Sequence, residues 1–126
     1  MAVSEYTLEV VDQLSADMPA IRQLVSENVQ DNGELLPHML FGEIAPWAER
    51  EFAAAPDSAD LRVLLDTLDT AYLKGDPEFR NVLEASFVEN LGLGSAVLDL
   101  LGPNLAAFAD LMFPWRGSAY NTELED

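Results

Sequence analysis

Residues 57–91 read DSADLRVLLDTLDTAYLKGDPEFRNVLEASFVENL, and this stretch decides the fold class. Within it Leu61, Leu64, Leu65, Leu68 and Tyr72 recur at the three- and four-residue spacing that lines one face of an α-helix. Asp57 or Ser58 is expected to cap that helix, because a side-chain oxygen there accepts from the free N–H groups of the first turn. Gly75 ends it. Asp76-Pro77-Glu78 then starts another helix, with a capping acid, a first-turn proline whose missing N–H costs little, and a carboxylate near the positive end of the helix dipole. Phe79, Val82, Leu83, Phe87 and Leu91 are its expected inward face, and the turn at Gly75-Asp76 joins the two as a helical hairpin.

The same grammar extends in both directions. Upstream, Ile21, Leu24, Val25 and Val29 form an apolar stripe over 17–30, with Asp17 as the expected N-cap, Pro19 in the first turn and Asp31-Asn32-Gly33 as the stop. Tyr6 to Leu14 reads as a helix, with a short strand over Tyr6 to Val10 as the alternative. Between Glu34 and Ala55, the residues Pro37, Gly42 and Pro46 predict a short helical piece and then a second helix. Pro46 falls in the first turn of that helix, and Ile44, Trp47, Ala48, Phe52 and Ala55 point inward. Downstream, Gly92 and Gly94 stop the helix that begins at Pro77. A short one follows over 96–101, and Gly102-Pro103 opens a last one carrying Leu105, Phe108, Leu111 and Met112. Pro114 ends regular structure.

These elements predict an all-α fold, a compact bundle of about six short helices, with HEAT-like helical hairpins as the open alternative. Residues 1–114 form the single helical domain. Residues 115–126 are expected to be an acidic, mobile C-terminal tail.

Composition narrows the function classes. The chain has 126 residues, 23 acidic against 6 basic, and a net charge of −17. A hydrophobic fraction of 49%, with two Trp, three Tyr and six Phe, separates it from a disordered acidic segment. A field of this sign repels nucleic acid and anionic membranes and favours a cationic partner or a saline environment. There is no cysteine, which removes disulfides, thiolate metal sites and cysteine nucleophiles. No segment approaches the roughly 18 apolar residues of a membrane span, and the N-terminus lacks the pattern of a signal peptide, so a cytoplasmic location is expected.

Few residues suggest chemistry. His38 is the sole histidine; if 34–41 is helical it shares a face with Glu34, and Glu43 follows five residues on. Such a set can ligate a metal or relay a proton, but it lacks the second histidine of a zincin motif. The plainer role is a histidine hydrogen-bonded to a carboxylate or backbone carbonyl, pinning a proline-interrupted segment to the core. Asp66 and Asp69, with Asp76 nearby, are expected on a solvated helix face opposite the leucines, either as a docking face for Arg and Lys or as a surface kept soluble. The serines have one histidine among them and no G-x-S-x-G context, so no catalytic residue, metal site or cofactor is assigned. Trp115-Arg116 is either a contact anchor or a segment folded over the core.

The stretch Asp31-Asn32-Gly33-Glu34-Leu35-Leu36-Pro37-His38, followed by Gly42-Glu43-Ile44, Asn81-Val82-Leu83-Glu84 to Leu91 and Leu101-Gly102-Pro103, resembles small acidic all-helical bacterial proteins of unknown function over roughly residues 5–112. Some proteins of this kind look like immunity partners in bacterial toxin systems, which bind and inhibit a basic toxin. The resemblance implies no catalytic residues; the positions it carries over are Asn32, Gly33, Glu34, Pro37, His38 and Glu43.

The expected function is therefore a non-enzymatic binding module of immunity or inhibitor type that docks a basic protein through its acidic surface. Glu34, His38, Glu43, Asp66, Asp69, Asp76 and Trp115 are its candidate binding residues. The alternatives are a DNA mimic, a small metal-dependent enzyme centred on His38, and a helical domain whose charge reflects solubility or a saline habitat. A homodimer closed by Phe113 to Trp115 is the further arrangement left open.

Overall fold

The computed structural model describes residues 3–91 and 94–113, and among these residues there is no β-strand. The elements in chain order are α1 (Glu5–Asp17), α2 (Pro19–Asn32), α3 (Pro37–Ala54), α4 (Ala59–Lys74), α5 (Pro77–Val82), a π-helical segment (Leu83–Val88), α6 (Glu89–Leu91), a 3-10 turn (Ala96–Leu100) and α7 (Pro103–Met112). With the unbroken run 77–91 counted as one, the described residues form a compact all-α bundle of six helices.

The leucine stripe of α4 is buried as its spacing requires, and Ser58 is the cap, accepting from Leu61 N at 3.1 Å. Asp76 caps α5 in the same way, accepting from Phe79 N at 2.9 Å. Phe79 is fully buried and meets Tyr6 of α1 and Phe41 of α3 edge-on, at ring distances of 5.4 and 6.2 Å. Helix α3 lies at the centre, packed against α2, α4, α5, the π segment, α6 and the 3-10 turn. That is the arrangement of a bundle around one core; in a stack of hairpins each unit meets only its neighbours. The broad face of α4 packs on α7 instead of on α5, although the turn at Gly75 joins α4 to α5.

Several expectations are corrected by the packing. Residues 5–17 are helix, not strand, capped by Ser4, whose hydroxyl accepts from Thr7 N at 3.2 Å. Asp17 is the last residue of α1 and not a cap; α2 begins two residues later because Met18, 1% exposed, turns the chain and Pro19 needs no N–H partner. The apolar face of α2 runs through Asn28, which is buried, while Val29 is exposed. Gly33 ends α2 at φ 76, a left-handed conformation that suits a residue without Cβ.

Helix α3 does not break at Pro46; it is continuous over Pro37–Ala54 with Pro46 inside. Burial of Leu40, Phe41, Ile44, Ala45 and Ala48 on one face outweighs the hydrogen bond that Pro46 cannot donate. Ala55 lies beyond the helix end and is exposed. The run expected as one α-helix from Pro77 widens to π geometry over Leu83–Val88, which brings Leu83, Ser86, Phe87 and Val88 all to the buried side. In α7, Leu105 is fully buried but Leu111 is 80% exposed, because it falls off the face that meets α4. The stop at Gly92, the break at Pro114 and the tail over 115–126 lie outside the described residues.

Candidate functional site

The turn between α2 and α3 builds the site. Asn28 clamps it: its side chain accepts from Leu36 N at 2.8 Å and donates to Leu36 O at 3.2 Å. A second amide, Asn32 Nδ2, donates to Asn28 O at 2.8 Å and holds the end of α2. These bonds fold residues 33–36 over the first turn of α3. Glu34 is therefore in a bend and not on a helix, so it does not share a helical face with His38; the two converge because the turn brings them together.

Glu34 and His38 line one cleft of about 290 Å³ with Val3, Leu35, Leu36, Pro37, Glu78 and Val82. Both Glu34 and His38 are exposed. His38 Nδ1 lies 2.6 Å from Ser86 Oγ, and which of the two donates depends on the imidazole tautomer. Ser86 is 7% exposed and belongs to the π segment, so the contact ties the first turn of α3 to that segment. Asn90 Nδ2 closes the corner by donating to Ser86 O at 2.7 Å. Sequence reading missed this Ser–His pair, which is separated by 48 positions. Ser86 itself does not line the cleft, and no carboxylate orients the imidazole through a hydrogen bond among the described residues. This geometry holds the imidazole through a serine hydroxyl, not through the carboxylate or backbone carbonyl expected of a histidine that pins the segment.

Opposite His38, Glu78 Oε2 accepts from Ser4 N at 2.8 Å and from Thr7 Oγ1 at 3.4 Å, which draws the start of α1 against the start of α5. Glu43 is exposed and lies in a different cleft, with Leu24, Glu27, Pro46 and Arg50. No group of three or more His, Asp or Glu among the described residues is placed to hold a metal ion.

Asp66 and Asp69 do not share a solvated face. Asp66 is exposed, whereas Asp69 is 7% exposed and accepts from Leu105 N at 2.8 Å and from Asn104 Nδ2 at 2.9 Å. Asp69 thus serves the start of α7 from another helix, where α7's own preceding residue, Gly102, has no side chain to offer. Asp76 is a helix cap, as expected from its position before Pro77. Trp115 lies outside the described residues, and so does most of the proposed dimer contact; Phe113, its one described member, packs half-buried against the core.

Asp66 also borders a groove of about 380 Å³ between α1 and α4, shared with Tyr6, Glu9, Gln13, Thr70 and Lys74. The Tyr6 hydroxyl donates to Ala71 O at 3.0 Å; burial, then the charges of Glu9 and Asp76, raise its pKa above the ordinary phenol value. Tyr72 shows a larger effect in the same direction. Burial and its 2.6 Å hydrogen bond to Glu84 push it up to about 12, against the opposing charge of Arg80.

The cations are placed for a different purpose. Arg22 donates to Ser15 O at 2.8 Å and Ala16 O at 3.4 Å, answering free carbonyls at the end of α1. Arg80 does the same for α4, donating to Leu73 O at 2.8 Å and Tyr72 O at 3.0 Å, with its guanidinium 5.5 Å from the Tyr72 ring centroid. Arg62 meets Asp57 at 3.9 Å with both side chains largely in solvent, a pair that contributes little.

Among the described residues, no helix is long and apolar enough to cross a membrane. A family model described as Domain of unknown function (DUF7674) matches residues 11–111, which include the turn, the lining of the cleft apart from Val3, and the Asp69 contact. Neither the curated proteins nor the solved structures contain a match to the chain.

Proposed function

The chain belongs to the DUF7674 family of domains of unknown function, and from that premise we propose that it is a non-enzymatic binding module of immunity or inhibitor type. It docks a basic protein in the cytoplasm. The observation that carries this reading is where the charges stand. Arg22 and Arg80 give their guanidinium donors to helix-end carbonyls and not to the carboxylates of α1 or to Asp66. Glu5, Glu9 and Asp12 follow at i, i+4 and i+7 on the exposed side of α1, and Asp66 shares a groove with Glu9, where Lys74 is the one cation among the lining residues. Like charges at this spacing cost a few tenths of a kcal/mol per pair, a cost that a cationic partner reverses.

Such a field raises the rate of encounter more than the affinity of the complex. The test compares the tagged chain with a Glu9→Gln, Asp12→Asn, Asp66→Asn variant in a nuclease-treated lysate, at low and high salt. A basic protein retained by the native chain at low salt, released at high salt and captured by the variant with an association rate at least about tenfold slower supports the reading. An association rate unchanged in the variant, or retention indifferent to salt, overturns it.

A further inference from the structure

Resting on that docking reading, we propose that the cleft between the α2–α3 turn and the start of α5 is the seat of an arginine side chain from the partner. Its walls are apolar, formed by Val3, Leu35, Leu36, Pro37 and Val82, and its volume of about 290 Å³ suits one long side chain. Its mouth is acidic. Glu34 is exposed and has no hydrogen-bond partner among the described residues. Glu78 receives Ser4 N and Thr7 Oγ1 on Oε2, leaving Oε1 without a donor from those residues. His38, held at Nδ1 by Ser86, adds a fixed planar side chain whose Nε2 makes no bond to them.

An aliphatic stem ending in a delocalised cation matches this combination of apolar wall and carboxylate mouth. A purely apolar group leaves the carboxylates facing nothing. A lysine brings a more strongly hydrated ammonium, whereas a guanidinium offers a planar fork to a carboxylate and lies flat against an imidazole.

The cleft also adjoins the amino ends of α3 and α5, which favour an anion. Each such end is equivalent to roughly half a positive charge, and Asp76 already caps α5. Two full carboxylates at the mouth outweigh what remains, so the local sign is negative.

The experiment is an NMR titration of the full 15N-labelled chain with N-acetyl-arginine amide. The matching lysine and citrulline amides and inorganic phosphate are titrated in parallel. The arginine probe is expected to shift the backbone amides of residues 34–36, 38, 78 and 82 saturably. Citrulline, with the same shape and no charge, binds at least about tenfold more weakly, and Glu34→Gln loses about tenfold for arginine. Equal binding of citrulline or lysine, a stronger response of these amides to phosphate, or no arginine response in them overturns the assignment. Glu34→Gln does not alter the α1–α4 groove. A partner retained by that variant as firmly as by the native chain therefore overturns the cleft and leaves acidic docking intact, while loss of salt-sensitive retention by the native chain itself removes the docking reading.

Discussion

Asp69 separates a surface acid from a structural one. It stands one helical turn from Asp66, yet it accepts a backbone N–H and a side-chain amide from α7 in a buried position. Replacing it with Ala leaves Leu105 N without an acceptor, and Asp69→Ala is expected to lower stability by about 2–3 kcal/mol in urea unfolding, against less than about 0.5 kcal/mol for Asp66→Ala. Similar losses for the two would mean that the contact to α7 contributes nothing. The close fit explains Gly102 too, since a Cβ there would lie 2.7 Å from Asp69 Oδ2. At this scale the sequence held a usable signal. Asp69 continues the row Leu61 and Leu65 at i+8 and i+4, and Asn28 continues Ile21 and Leu24 at i+7 and i+4. A polar residue on an apolar stripe marks a group with an internal partner. The identity of that partner was not legible, because Leu105 is 36 positions from Asp69 and Ser86 is 48 from His38.

Among the elements, α3 departs furthest from its sequence reading. Pro37, Gly42 and Pro46 argue for a short helical piece and then a second helix, but one helix forms, because a continuous buried face from Leu40 to Ala48 is worth more than the local penalties. Gly42 retains a cost that its surroundings do not require. A Cβ there would meet Asn90 Nδ2 at 3.5 Å, an ordinary contact. Gly42→Ala is therefore expected to raise stability by about 0.5–1 kcal/mol, read from the urea midpoint. A loss would show that α3 and α6 approach more closely than that contact implies. The caps at Ser58 and Asp76 were legible, since each is followed closely by a helical stripe. The joint between α1 and α2 was not, because Met18 alone separates them and carries no turn signature.

For the whole molecule, charge decides the response to its surroundings. A net charge of −17, with Arg22 and Arg80 turned to helix ends, leaves repulsion spread over the folded surface. Raising sodium chloride from 10 mM to 1 M shortens the screening distance from about 30 to about 3 Å, so the urea midpoint is expected to rise. A flat or falling midpoint would mean that the carboxylates repel no more in the folded state than in the unfolded one. Composition and periodicity by themselves determined that this chain folds, that it folds as helices, and that its surface is acidic, because these depend on residue types and on spacings within a few turns. Tertiary structure alone decided that Asp69 is internal, that α3 runs through Pro46, and that Glu34, His38 and Glu78 surround one apolar cleft. Each of these arises where burial between distant segments outweighs local preference, and the energy of such a contact belongs to the pair and is written in neither segment.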